Sequence, residues 1–232
     1  MQKNYRKWVA TGCVVLGLSI AGCSRQPEPT DPAPASPVAG RSYSRTVVAL
    51  GDSLTAGLGV DETDAYPARL ERRLIADGYD LKVVNAGISG ETSSGTLSRI
   101  NWVIASLKPD IVILVIGAND GMRGIDPDLL RNNLDQILSV LSENDIDVIL
   151  GGMKMLPNLG PAYAGEFERV YPEMSQKHHI ALIPFFLEGV AGEPRLNQSD
   201  GIHPNPEGYR IIVDHIYPHI LKSINNQGPP SD

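Results

Sequence analysis

Beyond residue 44 the chain alternates between short apolar runs and longer stretches in which apolar residues recur every three or four positions. The short runs have the length of β-strands and the longer ones the period of amphipathic helices. TVVAL at 46–50 predicts a first strand, KVVNAG from Lys82 a second, DIVILVIG at 110–117 a third, DVILGG from Asp147 a fourth and IALIPF a fifth. Helices are predicted between them over 66–76, 94–107, 127–142 and 166–178, and a closing helix over 207–223. Asp77-Gly78 and Pro109 punctuate the first two, while Asp126 followed by Pro127 reads as an N-cap and a first-turn proline. The third strand is the most continuously apolar, as a strand buried on both faces should be. Successive strand–helix–strand units imply a mostly parallel five-stranded sheet with helices on both faces, a three-layer α/β/α sandwich.

The first 44 residues break this rhythm. Lys3, Arg6 and Lys7 precede an apolar run over 8–20 that ends in Ile20-Ala21-Gly22-Cys23. The run is short for a membrane span and its small-residue end reads as an export signal. Because it ends on Ala-Gly-Cys, it resembles a bacterial lipoprotein signal, which implies that Cys23 becomes the lipidated first residue of the mature chain. A plain signal peptide and an uncleaved anchor are the alternatives. Residues 24–44, rich in Pro and Ala and without apolar periodicity, predict an extended tether. One domain is expected over 45–225, with 226–232 as a disordered tail. Both cysteines, Cys13 and Cys23, lie in the leader, so the exported domain has no disulfide and no thiolate site. The net charge of −7, with no dense basic run outside the leader, argues against nucleic acid as a partner.

In open α/β sheets, ligands bind in the crevice beyond the carboxyl ends of the strands. Four polar stretches fall in loops that can reach such a crevice: GDSLTAG (51–57) after the first strand, NAGISGET (85–92) after the second, GAND (117–120) after the third and DGIHP (200–204) before the last helix. Each alone is ordinary turn chemistry. A serine hydroxyl needs a base within hydrogen-bond reach to act as a nucleophile. Of the five histidines, His203 stands three residues after Asp200 in a Gly/Pro-rich loop, a spacing that lets a carboxylate orient an imidazole. Ser53, His203 and Asp200 thus supply a candidate nucleophile, base and orienting acid. His178 and His179 read as structural residues at a helix end, and His215 and His219 lie one helical turn apart without a carboxylate ligand set. Backbone N–H groups at Ser53 and in the Gly87–Gly90 turn, and the Asn119 side-chain amide, are candidate donors to an oxyanion.

Taken in order, GDSLTAG, SGET with Gly90, GAND with Asn119 and DGIH with Asp200 and His203 resemble the four sequence blocks of the SGNH (GDSL) hydrolase superfamily, over residues 46–221. The resemblance implies a flavodoxin-like fold, with Ser53 as nucleophile, His203 as base and Asp200 as its partner. It assigns the Ser53 and Gly90 N–H groups and the Asn119 amide to the oxyanion hole, and implies no metal and no organic cofactor. NAGISGETS, GANDGMRG, LPNLGPAY, IPFFLEGV and DGIHPN are similar to segments of the bacterial thioesterase I/lysophospholipase/arylesterase branch, which hydrolyses acyl esters and thioesters through an acyl-serine. That likeness places the loop over 156–163 beside the acyl groove, with Leu54, Leu156 and Leu159 as substrate-binding candidates.

The expected partners are an acyl-ester substrate and, through the anchor, a membrane, the domain acting as a monomer. Ser24 after Cys23 resembles lipoproteins sorted to the outer membrane, which implies its periplasmic face in a host that has one. Two rival readings stay open: a carbohydrate O-acetylesterase with the same triad, and a lipid-anchored binding protein on a degenerate hydrolase fold.

Overall fold

A computed structural model describes residues 43–155 and 157–225. The leader with Cys23, the tether up to residue 42, Leu156 and residues 226–232 lie outside the described residues. Five strands form one sheet: β1 (Arg45–Gly51), β2 (Leu81–Gly87), β3 (Ile111–Val115), β4 (Asp147–Gly151) and β5 (Ala181–Ile183). Their order is β2-β1-β3-β4-β5 and every neighbouring pair runs parallel. The helices are α1 (Ser53–Ala56), α2 (Tyr66–Ala76), α3 (Ser93–Leu107), α4 (Ala118–Met122), α5 (Pro127–Glu143), α6 (Pro161–His178) and α7 (Pro206–Asn225).

The strand order dictates the layers. The chain steps from β1 to β2 in one direction, then crosses back past β1 to β3, β4 and β5. Right-handed crossovers therefore put α2 on one face and α3, α5 and α6 on the other. The packing agrees: α3 lies against α5 and α5 against α6, while α7 returns to pack beside α2. The direction of winding reverses at β1 and β3, and the crevice at that switch point opens at their carboxyl ends. All five residues of β3 are buried. Val47 to Leu50 of β1 are likewise covered, which accounts for the unbroken apolar runs of these two strands.

Helix α2 has the predicted bounds. Asp126 Oδ1 accepts from the Asp128 N–H at 2.9 Å, so α5 begins on the cap and proline its sequence announces. Other elements differ from the expectation at one or both ends, and three of these differences have a visible cause. β3 stops at Val115 rather than 117, because Gly117 adopts φ +110° and turns the chain into α4. α6 starts at Pro161, five residues early, since a proline in the first turn needs no N–H partner. β5 is only three residues long, as befits an edge strand that runs into Pro184.

One close approach governs the edge at the carboxyl ends of β1 and β2. Gly87, the last residue of β2, is in register with Gly51 at the end of β1, directly under α1. A Cβ at Gly87 would collide with the backbone N of Ala56 and lie 2.7 Å from the backbone carbonyl carbon of Thr55. Backbone cannot swing aside as a side chain can, so we expect Gly87→Ala to cost about 3 kcal/mol, the upper range for overpacking. Urea unfolding of the two proteins measures this; a loss below about 0.5 kcal/mol would mean that α1 floats above the sheet.

Candidate active site

The site begins with the way β1 ends. Asp52 leaves the strand and caps α1, its Oδ1 accepting from the Leu54 N–H at 3.0 Å. Its main-chain oxygen accepts from Thr55 and Ala56. Ser53 is thus the first residue of a one-turn helix, where the N–H has no intrahelical acceptor and points out of the helix start. Gly57 ends the turn in the left-handed region, φ +77°. The sequence shows Gly-Asp-Ser as a turn, and the short helix within it was not foreseen. Below it, the buried Tyr209 of α7 donates to the Leu54 carbonyl at 3.0 Å, which pins α1 from the far end of the chain.

The long loop between β5 and α7 delivers the other partners. His203 Nε2 lies 2.8 Å from Ser53 Oγ, and His203 Nδ1 lies 2.7 Å from Asp200 Oδ2. The second oxygen of Asp200 accepts from the backbone N–H groups of Ile202 and His203, at 3.0 and 3.1 Å. One carboxylate therefore shapes its own loop and orients the imidazole. The hydrogen bond to His203, followed by the two backbone N–H bonds, holds the Asp200 carboxyl down to about 2. It is ionised at any ordinary pH, so Nδ1 must carry the hydrogen and Nε2 faces the serine as an acceptor. The Gln198 side chain braces this arm: its amide donates to the Leu58 carbonyl at 2.7 Å and to the Pro204 carbonyl at 3.0 Å, joining the segment after α1 to the histidine loop.

Asn119 and Gly90 lie in the segments after β3 and β2, at the same edge of the sheet. Asn119 is the second residue of α4, after β3, and its Nδ2 donates to Asp52 Oδ2 at 3.3 Å. Gly90 lies in the loop after β2 with φ +80°, a conformation glycine adopts without strain. Its carbonyl accepts from Arg123 Nη2 at 2.8 Å. Beside it, Asp120 accepts from both the N–H and the Oγ of Ser93, and Asn133 donates to Ser93 Oγ at 2.9 Å. The loops after β2 and β3 are thereby tied together.

Of the substrate candidates, Leu159 is exposed, Leu156 lies outside the described residues, and Leu54 is corrected. Leu54 is only 4% exposed and packs into the core, so its side chain offers a substrate almost no surface. His178 bonds to Asp135 at 2.7 Å and His215 to the Phe185 carbonyl at 3.0 Å, neither to Ser53, Asp200 or His203. Among the described residues no group of three His, Cys, Asp or Glu side chains is placed to hold a metal.

Sequence reasoning missed Asp52, which reads as one more turn acid. It is 1% exposed. Burial raises its carboxyl to about 6 against the opposing hydrogen bonds from Leu54 and Asn119. Its cap bond to Leu54 is local, but Asn119 lies 67 positions away on another strand end, beyond any local signal.

With this geometry in view, comparison with known proteins is direct. The sequence profile of the GDSL-like lipase/acylhydrolase family matches residues 49–211. Esterase TesA of Pseudomonas aeruginosa is 40% identical over 178 residues, 77% of this chain and 89% of that protein. Thioesterase 1/protease 1/lysophospholipase L1 of Escherichia coli is 34% identical over 183 residues, 78% of this chain and 86% of that protein. The crystal structure of the psychrotrophic esterase EstA from Pseudoalteromonas sp., inhibited by monoethylphosphonate, superposes with a TM-score of 0.75 at 31% identity, covering 78% of this chain and 99% of that one. The chain belongs to the GDSL-like lipase/acylhydrolase family and has its fold. Within that family it is an SGNH-type serine esterase.

The raised Asp52 carboxyl has a measurable consequence. A carboxyl whose folded pKa exceeds its unfolded value favours folding while protonated. That contribution is complete below 3.8 and is lost as pH rises through about 6. Asp52→Asn removes the titration. Between pH 3.5 and 7.5 we therefore expect the stability difference to move in the variant's favour by about 3 kcal/mol. Denaturant unfolding across this range tests it, and a difference that stays flat would show that Asp52 ionises freely.

Proposed function

We propose that the protein hydrolyses acyl esters through an acyl-enzyme on Ser53, with His203 as general base and Asp200 as its orienting partner. The observation that carries the reading is the unbroken chain of two hydrogen bonds, 2.8 Å from Ser53 Oγ to His203 Nε2 and 2.7 Å from His203 Nδ1 to Asp200 Oδ2. His203 takes the serine proton as Oγ attacks the ester carbonyl. The negative charge that develops on the carbonyl oxygen is met by the N–H groups of Ser53 and Gly90 and the Asn119 amide. Collapse of the tetrahedral adduct breaks the bond to the leaving group, which receives the proton from His203. A water molecule, deprotonated by the same imidazole, then releases the acid and restores Ser53. Asp200, always ionised, supports the imidazolium in both half-reactions.

We further propose that the natural substrate is a lipid or another envelope ester with a medium or long acyl chain, and that the protein is an exported lipoprotein. The relatives named esterase, thioesterase and lysophospholipase favour an acyl substrate, and the leader ending at Cys23 favours the location. A thioester is within reach of the same chemistry.

Hydrolysis of p-nitrophenyl esters from acetyl to dodecanoyl tests this reading. Rates should rise beyond acetate and vanish in Ser53→Ala with the fold intact. Activity confined to acetate would move the assignment to a carbohydrate O-acetylesterase. Retention of wild-type rates by Ser53→Ala would remove Ser53 from the mechanism altogether. Asp200→Asn should keep the loop, since one oxygen can still accept from Ile202 and His203, yet lose up to roughly ten-thousandfold in kcat by presenting a donor to Nδ1. A loss of less than tenfold would mean that another group orients His203.

A further inference from the structure

Seven large apolar side chains are exposed among the described residues: Leu58, Ile88, Trp102, Met122, Leu129, Leu159 and Ile202. Trp102 and Leu129 lie on the outer helices α3 and α5. The other five are distributed in a definite way. Leu58 follows α1 in the loop after β1, Ile88 follows β2 directly, and Met122 ends α4 after β3. Leu159 lies in the loop after β4, and Ile202 in the loop after β5. Because all five strands are parallel, these loops share one edge of the sheet. Every strand end therefore contributes one large apolar residue, each 44–50% exposed, to the edge that holds Ser53 and His203.

We propose that this collar docks the domain, catalytic edge first, onto the surface of a phospholipid bilayer. The purpose rests on the acyl-esterase reading above, because long-chain esters reside in such a surface. Among the described residues no helix is long and apolar enough to cross a membrane, so contact is peripheral. The chain's charge of −7 supplies no general attraction to anionic headgroups, which leaves apolar insertion as the binding force and zwitterionic lipid as the partner it fits.

The attachment of the chain permits this orientation. β1 starts at Arg45, at the edge of the sheet opposite the collar. Residues 24–42, which separate Cys23 from the first described residue, can span at most roughly 65 Å when extended. A domain of this size is roughly 40 Å across. A chain held in the membrane at Cys23 is therefore long enough to pass the domain and let the far edge face the same surface.

The test uses the chain from Ser24 onward, which retains the whole sheet and every helix covering it, in the Ser53→Ala background so that lipid is not consumed. Flotation with phosphatidylcholine vesicles is compared for this parent, for the triple variant Leu58→Ser, Ile88→Ser, Met122→Ser, and for Trp102→Ser. We expect the parent to float, the triple variant to lose at least about tenfold in vesicle partition, and Trp102→Ser to stay within about twofold. With Ser53 restored in both, the triple variant should hydrolyse p-nitrophenyl butyrate in free solution within about threefold of the parent chain. A parent that does not float would overturn the proposal, as would an equal loss in Trp102→Ser. A fall in free-solution hydrolysis parallel to the loss of flotation would also overturn it, by showing that the three residues build the substrate groove. Absence of butyrate hydrolysis in the Ser53-restored parent would strike the esterase reading alone, since flotation is read without turnover.

Discussion

The bond between Asp52 and Asn119 joins two strand ends that the chain brings together only after winding past β2. β1 and β3 are neighbours in the sheet, and the crevice between their carboxyl ends is where the direction of winding reverses. An acid placed there, with one oxygen on the Leu54 N–H and the other on the Asn119 amide, sets both the start of α1 and the rotamer of Asn119. Everything else at this edge is referenced to α1. Tyr209 holds its carbonyl from below, Gly87 passes beneath it without a side chain, and His203 meets the serine on its first residue. The carboxyl's resistance to ionisation is the cost of that arrangement, since the fold buries an acid to hold two neighbouring elements in fixed relation.

A second layer of connections keeps the loops from acting independently. Arg123, just past α4, holds the Gly90 carbonyl, and Asp120 within α4 holds Ser93 at the start of α3. Gln198 joins the loop after α1 to the loop that carries His203. None of these side chains belongs to the hydrogen-bonded series Ser53–His203–Asp200, yet each links two of the segments at this edge. The site is better regarded as a small network of cross-bonded loops than as residues set separately on a sheet.

Much of this could be read from residues in order, and what could not has a common cause. The bounds of α2, the cap of α5 and the burial of β3 follow from patterns within a dozen residues, where periodicity and capping chemistry are decisive. So does the Asp200–His203 spacing, because both residues sit on one turn. The short helices α1 and α4 were hidden because Gly-Asp-Ser and Gly-Ala-Asn-Asp are equally good turns, and only Tyr209, Asn119 and the neighbouring strands select a helical turn there. The early start of α6 was announced by Pro161 but concealed by the absence of apolar periodicity in its first turn. The roles of Asp52, Gln198 and Tyr209 depend on partners 67 to 155 positions away, beyond any local signal. Leu54 shows the reverse failure: an apolar residue beside the nucleophile suggested a substrate wall, while the helical turn directs it into the core.

The separation of Ser53 and His203 along the chain, 150 positions, has a consequence for the life of the molecule. The serine follows the first strand of the described domain, and the histidine lies in the last loop before the closing helix. Under the proposed mechanism, a nascent or C-terminally truncated chain holds the serine in an ordinary turn without the histidine that serves as its base. On that mechanism, ester-cleaving power arises only when the domain closes on itself and brings the two residues together. On that mechanism, the order of elements along the chain is itself enough to keep unfinished copies inactive.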